Sequence, residues 1–197
     1  LAALAAAHPA AAGTPTVVLC PPYPLLESVG RALAGTSMLL GGQNVHAEPQ
    51  GAFTGEVSGS MLASVGCTWV IVGHSERRHG MGETDRQVAA KLRAARRDGL
   101  IPIVCVGETL AEREANQTEA VLVRQVTIAW NGLSPERARQ TVVAYEPVWA
   151  IGTGKVATPE QARDAHRVIR MTLDQVLGGS AGNELAILYG GSVNAGN

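Results

Sequence analysis

The chain has 197 residues, of which 46% are hydrophobic and 17% are charged, enough to bury one large core and too few for two ordinary domains. The formal net charge of -1 argues against the broad positive field that attracts nucleic acid or an anionic membrane surface. We therefore expect one domain over residues 1–197, in which backbone amides could still hold a small anionic substrate.

The N-terminal segment and the cysteines bear on the compartment. The opening LAALAAAHPAAAG lacks the basic segment of a signal peptide and is interpreted as the end of an alanine-rich helix. No apolar run reaches the roughly 18 residues of a membrane span. Cys20, Cys67 and Cys105 are widely spaced and lie in or beside apolar runs, so we expect reduced core thiols and a cytoplasmic protein.

Six short apolar segments without polar alternation predict strands that are covered on both faces, as in a parallel sheet. They span residues 17–20, 38–40, 68–72, 101–106, 141–144 and 185–188. Helical stretches lie between them, with capping boxes at Thr84 with Gln87 and at Thr158 with Gln161, and a further start at Ser134. This alternation predicts right-handed βαβ units of an α/β fold, either a closed barrel or an open doubly wound sheet.

Polar residues at the carboxyl ends of these strands are the candidates for chemistry, because reactive groups gather there in parallel α/β folds. They are Gln43, Asn44, His74, Ser75, Glu76, Glu108, Glu146 and Gly190 to Ser192. Glu146 ends an apolar strand beside Tyr145 and Trp149, where desolvation would raise its pKa and suit it to removing a proton from carbon. A glutamate that caps a helix or pairs with arginine remains an alternative.

His74 opens the segment HSERRHG, whose next residues could form a helical turn with backbone amides directed at the imidazole. Such a position disfavours imidazolium and leaves a neutral donor that can polarise a carbonyl. Glu76 could partner a cationic catalytic group. A surface turn of solvated charges is the alternative.

The segment PVWAIGTGK is longer and more apolar than an ordinary βα loop, which indicates a mobile lid. The lid residues are Pro147, Val148, Trp149, Ala150, Ile151, Gly152, Thr153, Gly154 and Lys155. GTGK is not a Walker A motif, because Trp149 and Val156 occupy positions that the motif gives to glycine and Ser/Thr. Gly190-Gly191-Ser192 could bind phosphate at a helix N-terminus or form an ordinary tight turn.

Five motifs occur in order along the chain: GGQNVHAEPQGAFTGEVS at 41–58, VGHSERR at 72–78, VCVGE at 104–108, YEPVWAIGTGK at 145–155 and YGGSV at 189–193. Together they resemble the triosephosphate isomerase family. The resemblance implies a (β/α)₈ TIM barrel whose first and last strands lie outside this chain, together with the family's Asn-x-Lys motif and its last Gly-Gly phosphate element. Val156 departs from the hydroxyl or small residue of many members.

The resemblance also implies the roles of residues. Glu146 would move a proton between C1 and C2 of a triose phosphate through an enediolate, and neutral His74 would serve the two oxygens. Glu76 and Asn44 would support them, and Gly152 and Ser192 would bind the phosphate. Residues 45–54 would dock on a second subunit of a homodimer, with Thr54 near the partner's site. No cofactor or metal is implied.

Two alternatives to an isomerase are considered: another sugar-phosphate enzyme on the same fold, and a protein that is not an enzyme. An aldolase would need a lysine at a strand end. A metal-dependent epimerase would need His and Asp ligands at several strand ends. The visible strand ends supply neither the lysine nor the metal ligands. A truncated, non-catalytic barrel that dimerises or binds is the third hypothesis. The retained Glu146, His74 and lid argue against it.

Overall fold

A computed structural model of the chain describes residues 15–193. The alanine-rich opening and the helix expected after Ser192 lie outside these residues. The described part of the chain forms two compact units, one of residues 15–72 and 91–102, the other of residues 73–90 and 103–193.

The first unit is built on parallel strands in chain order. They are β1 (Val18–Leu19), β2 (Leu39–Gly42) and β3 (Trp69–Val72), with a 3-10 helix (Tyr23–Leu25) and helices α1 (Leu26–Leu33) and α2 (Gly59–Ser64) between them. Gly41 pairs with Trp69 in the β2–β3 register. A Cβ at Gly41 would lie 2.7 Å from Cys20 Sγ and 3.2 Å from Trp69 Cβ, so a larger residue there would force these neighbours to shift.

The second unit contains the longer helices. Its elements are α3 (Ser75–Gly80), the start of α4 (Asp85–Arg97), most of β4 (Ile101–Val106), α5 (Leu110–Glu114), α6 (Thr118–Trp130), α7 (Pro135–Ala138), β5 (Val142–Tyr145), a 3-10 helix (Val148–Ala150), α8 (Pro159–Leu177), α9 (Ala181–Glu184) and β6 (Ala186–Tyr189). Strands β4, β5 and β6 are parallel neighbours. Helix α6 packs on α8, and each helix has buried apolar residues, among them Leu122 in α6 and Ile169 in α8.

All six predicted strands are confirmed, with ends that shift by at most two residues. Strand β2 continues into Gly41 and Gly42, two residues beyond its predicted end. Strand β5 begins and ends one residue later than predicted, so that Tyr145 belongs to it. The capping boxes at Thr84 and Thr158 are both present, whereas the helix that opens at Ser134 is only four residues long.

The three cysteines are free; Cys67 and Cys105 are buried, as predicted, whereas Cys20 is only partly buried. Burial raises the pKa of Cys67 to about 11, and burial together with the nearby Cys67 raises the pKa of Cys20 to about 11. Among the described residues, no helix is long and apolar enough to cross a membrane.

Candidate active site

Glu146 follows β5 directly and is only 5% exposed. Its Oε2 accepts a hydrogen bond of 2.9 Å from the backbone N of Ser75, and its Oε1 lies 3.2 Å from His74 Nε2. Its own backbone N donates to Val106 O at 2.8 Å. The two residues singled out at separate strand ends therefore lie side by side.

His74 is the N-cap of α3, and the helical turn predicted after it is present. The backbone N of Glu76 donates to His74 Nδ1 at 3.3 Å. Because Nδ1 accepts this bond, the proton of a neutral ring lies on Nε2, which faces the Glu146 carboxylate. The Glu76 side chain is 84% exposed, with Oε2 3.8 Å from Nδ1.

Two glycines bring backbone against Glu146. A Cβ at Gly190 would lie 2.9 Å from Glu146 Cγ, and a Cβ at Gly107 would overlap the carbonyl oxygen of Glu146 outright. Any larger residue at Gly107 would force strand-end backbone to move. The main chain at Gly190 therefore lies against the Glu146 side chain, and the main chain at Gly107 lies against the Glu146 backbone.

A second buried carboxylate, Glu108, follows β4, and its sequence position predicts no particular role. It has no exposed surface, and it accepts hydrogen bonds from Tyr145 Oη at 3.2 Å, Trp149 Nε1 at 2.8 Å and Arg113 Nη1 at 3.0 Å. The Arg113 guanidinium also lies 4.5 Å from the centre of a Trp149 ring. The polar atoms of Tyr145 and Trp149, which were expected around Glu146, thus point at Glu108 instead.

The predicted lid, residues 147–155, begins with the 3-10 turn, in which Trp149 and Ala150 are buried. It continues as an irregular segment with Gly152 at φ 68° and Gly154 at φ 76°, a region that favours glycine. Thr153 Oγ1 donates to Trp149 O at 2.8 Å. Ser192 Oγ donates to Ala150 O at 3.1 Å, which brings the glycine-rich segment after β6 against the lid.

Asn44 and Thr54 lie in the first unit. Asn44 is 5% exposed, and its Oδ1 accepts a bond of 2.8 Å from Nζ of the buried Lys91. Thr54 is exposed in a loop where the rings of His46 and Phe53 lie 4.2 Å apart. Nδ1 of His46 lies 3.3 Å from Glu56 Oε2.

Within residues 15–193, no group of three or more His, Cys, Asp and Glu side chains is placed to hold a metal ion. The candidate site brings together one buried carboxylate and one imidazole, each just after a strand. Such an arrangement is typical of an acid–base enzyme on a parallel α/β scaffold.

The family model described as "Triosephosphate isomerase" matches residues 1–197. The chain therefore belongs to the triosephosphate isomerase family. It is an isomerase of the (β/α)₈-barrel fold class. The alternative fold, an open doubly wound sheet, is therefore excluded.

Individual proteins that are similar to this chain support the same family. The chain is 54% identical over 181 residues to triosephosphate isomerase of Rhodopirellula baltica, covering 92% of this chain and 71% of that protein. It is 51% identical over 198 residues to triosephosphate isomerase of Cupriavidus necator, covering 100% of this chain and 80% of that protein. The crystal structure of triosephosphate isomerase from Bartonella henselae matches with a TM-score of 0.81 and 40% identity, over 90% of this chain and 71% of that one.

Proposed function

We propose that Glu146 and His74 interconvert dihydroxyacetone phosphate and D-glyceraldehyde 3-phosphate. The observation that carries the proposal is the buried Glu146 carboxylate with Oε1 3.2 Å from His74 Nε2, in a chain of the triosephosphate isomerase family. Glu146 removes a proton from C1 of dihydroxyacetone phosphate, which gives an enediolate, and a proton returns at C2. No observation favours a non-catalytic, dimerising fragment.

His74 acts as the electrophile. With Nδ1 occupied by the Glu76 amide, a neutral ring presents Nε2–H as its donor. That proton polarises the substrate carbonyl, and the ring then moves protons between the two oxygens of the enediolate. Glu146 leaves the amide of Ser75 and the ring of His74 when it turns to the substrate carbon, so these contacts hold the base ready in the free enzyme.

The amides of Gly152 and Ser192 hold the substrate phosphate, and residues 147–155 close over it and exclude water. The hydrogen bond from Ser192 Oγ to Ala150 O supports this, because it joins the two segments that share the phosphate. Glu76 and Asn44 are supporting residues. The exposed carboxylate of Glu76 beside His74 is available to a cationic group that binds the substrate.

The protein acts in glycolysis and gluconeogenesis, in the cytoplasm, as a homodimer. Free cysteines fit a reducing compartment. Residues 45–54 dock on the partner subunit, with Thr54 at the partner's catalytic region, and the ring contact of His46 with Phe53 gives that exposed loop a defined shape. We propose that residues 1–197 belong to one barrel domain.

A coupled assay of glyceraldehyde 3-phosphate formation tests the proposal, with Glu146→Ala and His74→Gln beside the unaltered protein. We expect each variant to lose about 10²–10⁴-fold in kcat, the usual contribution of a positioned acid or base. Glu27→Gln, which removes an exposed carboxylate of a surface ion pair, is the control and should keep full activity. Unchanged activity in Glu146→Ala would contradict the proposal.

A further inference from the structure

The side chain of Gln125, in α6, makes two hydrogen bonds to a single glycine. Its Oε1 accepts from the backbone N of Gly107 at 2.8 Å, and its Nε2 donates to the carbonyl O of Gly107 at 3.3 Å. Gln125 is only 5% exposed. A primary amide, with one acceptor and one donor on adjacent atoms, can satisfy both polar groups of one residue.

Gly107 lies against the main chain that carries the catalytic base. On one side of it, the backbone N of Glu146 donates to Val106 O at 2.8 Å. On the other, the backbone N of Val148 donates to Glu108 O at 3.1 Å. A Cβ at Gly107 would overlap Glu146 O, so the two backbones already touch. A displacement of Gly107 is therefore transmitted to Glu146 and to the start of the lid.

We propose that Gln125 is a positioning residue for the isomerase, which holds the Gly107 peptide so that Glu146 stays aligned with His74. The inference rests on the proposed role of Glu146. Gln125 touches no reacting atom and acts only through Gly107. A small displacement of a reacting group costs up to roughly a hundredfold in rate, so the effect should be large compared with an ordinary core change.

An apolar side chain and an acidic one should fail differently at this position. Gln125→Met keeps the length of the side chain and leaves both polar groups of Gly107 without this partner. Gln125→Glu can accept from Gly107 N, but as a carboxylate it faces the carbonyl oxygen of Gly107. Burial and that oxygen raise the pKa of the introduced carboxyl, so the protonated form, which can donate to Gly107 O, returns as pH falls.

The test compares steady-state kinetics of these two variants with Leu122→Ala as the control. Leu122 lies in the same helix and is fully buried, but it does not take part in the Gly107 pair. We expect Gln125→Met to lose roughly 10–100-fold in kcat with KM within about threefold, whereas Leu122→Ala lowers the Tm and leaves kcat within about twofold. The kcat of Gln125→Glu relative to the unaltered enzyme should rise as pH falls from 8.5 to 6, and that of Gln125→Met should not.

A folded Gln125→Met enzyme with kcat within about twofold of the unaltered enzyme overturns the proposal. So does a pH-independent ratio for Gln125→Glu, which decides the matter even where Gln125→Met does not fold. If the unaltered protein has no isomerase activity, the proposed function fails and this inference with it. If the unaltered enzyme is active and the Gln125 variants keep its kcat, the role of Gln125 is contradicted and the proposed function is not.

Discussion

Arg78 Nε donates a hydrogen bond of 2.8 Å to the carbonyl oxygen of Gly73, the residue that precedes His74. Arg78 Nη2 donates to Cys105 O at 3.0 Å, and Nη1 donates to Asp85 Oδ1 at 2.6 Å. The side chain is only 7% exposed. One buried guanidinium thus ties the peptide on which His74 is carried to strand β4.

Removal of this guanidinium should weaken the second unit. We expect Arg78→Met to lower the free energy of unfolding by roughly 3 kcal/mol, because it removes a buried charged donor from Gly73 O, Cys105 O and Asp85 Oδ1. Urea denaturation measures this loss. Arg124→Met removes the other arginine of Asp85, which is 51% exposed, and should cost less than about 1 kcal/mol. Equal losses of unfolding free energy in the two variants would contradict this prediction, because the buried arginine would then stabilise the protein no more than the exposed one.

Gly107 should not tolerate a methyl group. In Gly107→Ala the new Cβ overlaps the carbonyl oxygen of Glu146, so Glu146 must shift. We expect a loss of at least roughly a hundredfold in kcat, measured in the coupled assay. In the matched control Gly80→Ala the added Cβ meets no atom within 4 Å and needs no unusual φ, so activity should stay unchanged. Near-normal activity in Gly107→Ala would refute the contact that the Gln125 inference depends on.

The Tyr145 hydroxyl should make stability sensitive to alkaline pH. Burial, then the adjacent Glu108 carboxylate, raises the pKa of Tyr145 well above its usual range. A tyrosine of the unfolded chain loses its proton near pH 10, while the folded state keeps it. The stability that this pKa shift of Tyr145 contributes is therefore fully present below about pH 10 and declines as pH rises further. The free energy of unfolding of Tyr145→Phe should fall less steeply above pH 10 than that of the unaltered protein, and parallel curves would contradict this.

The buried thiols should be nearly inert in the folded protein. Burial raises the pKa of Cys67 from 9.0 to about 11, so the reactive thiolate is roughly a hundredfold scarcer near pH 8 than in the unfolded chain. Alkylation by iodoacetamide, followed by mass spectrometry of the Cys67 peptide, should be at least that much slower in native protein than in urea. Equal rates would show that Cys67 is not buried as the structure has it.

Local sequence signals predicted the strands and many residues of the candidate site. Apolar runs without alternation located all six strands, and each candidate catalytic residue was the first polar group after such a run. The helical turn with His74 as its N-cap could also be predicted, because it depends only on residues next to His74 in the sequence. Whether His74 and Glu146 meet depends on the parallel order of the strands, which the pattern indicated but did not fix.

Contacts between distant side chains could not be predicted. Glu108 was visible at a strand end, yet its partners Tyr145, Trp149 and Arg113 come from later segments. Nothing in their local sequence says that they converge on Glu108 rather than on Glu146. Gln125 lies on a helix face and looks like any polar helical residue, because the feature that matters, its approach to Gly107, exists only in the folded chain.

The measurement that tests the central claim most directly is hydrogen exchange at C1 of dihydroxyacetone phosphate in deuterated water, followed by proton NMR. Proton abstraction by Glu146 predicts rapid deuterium incorporation with the unaltered protein. It predicts incorporation slower by about 10²-fold or more with Glu146→Ala. Incorporation at an unchanged rate in Glu146→Ala would contradict the account, because another group would then be the base.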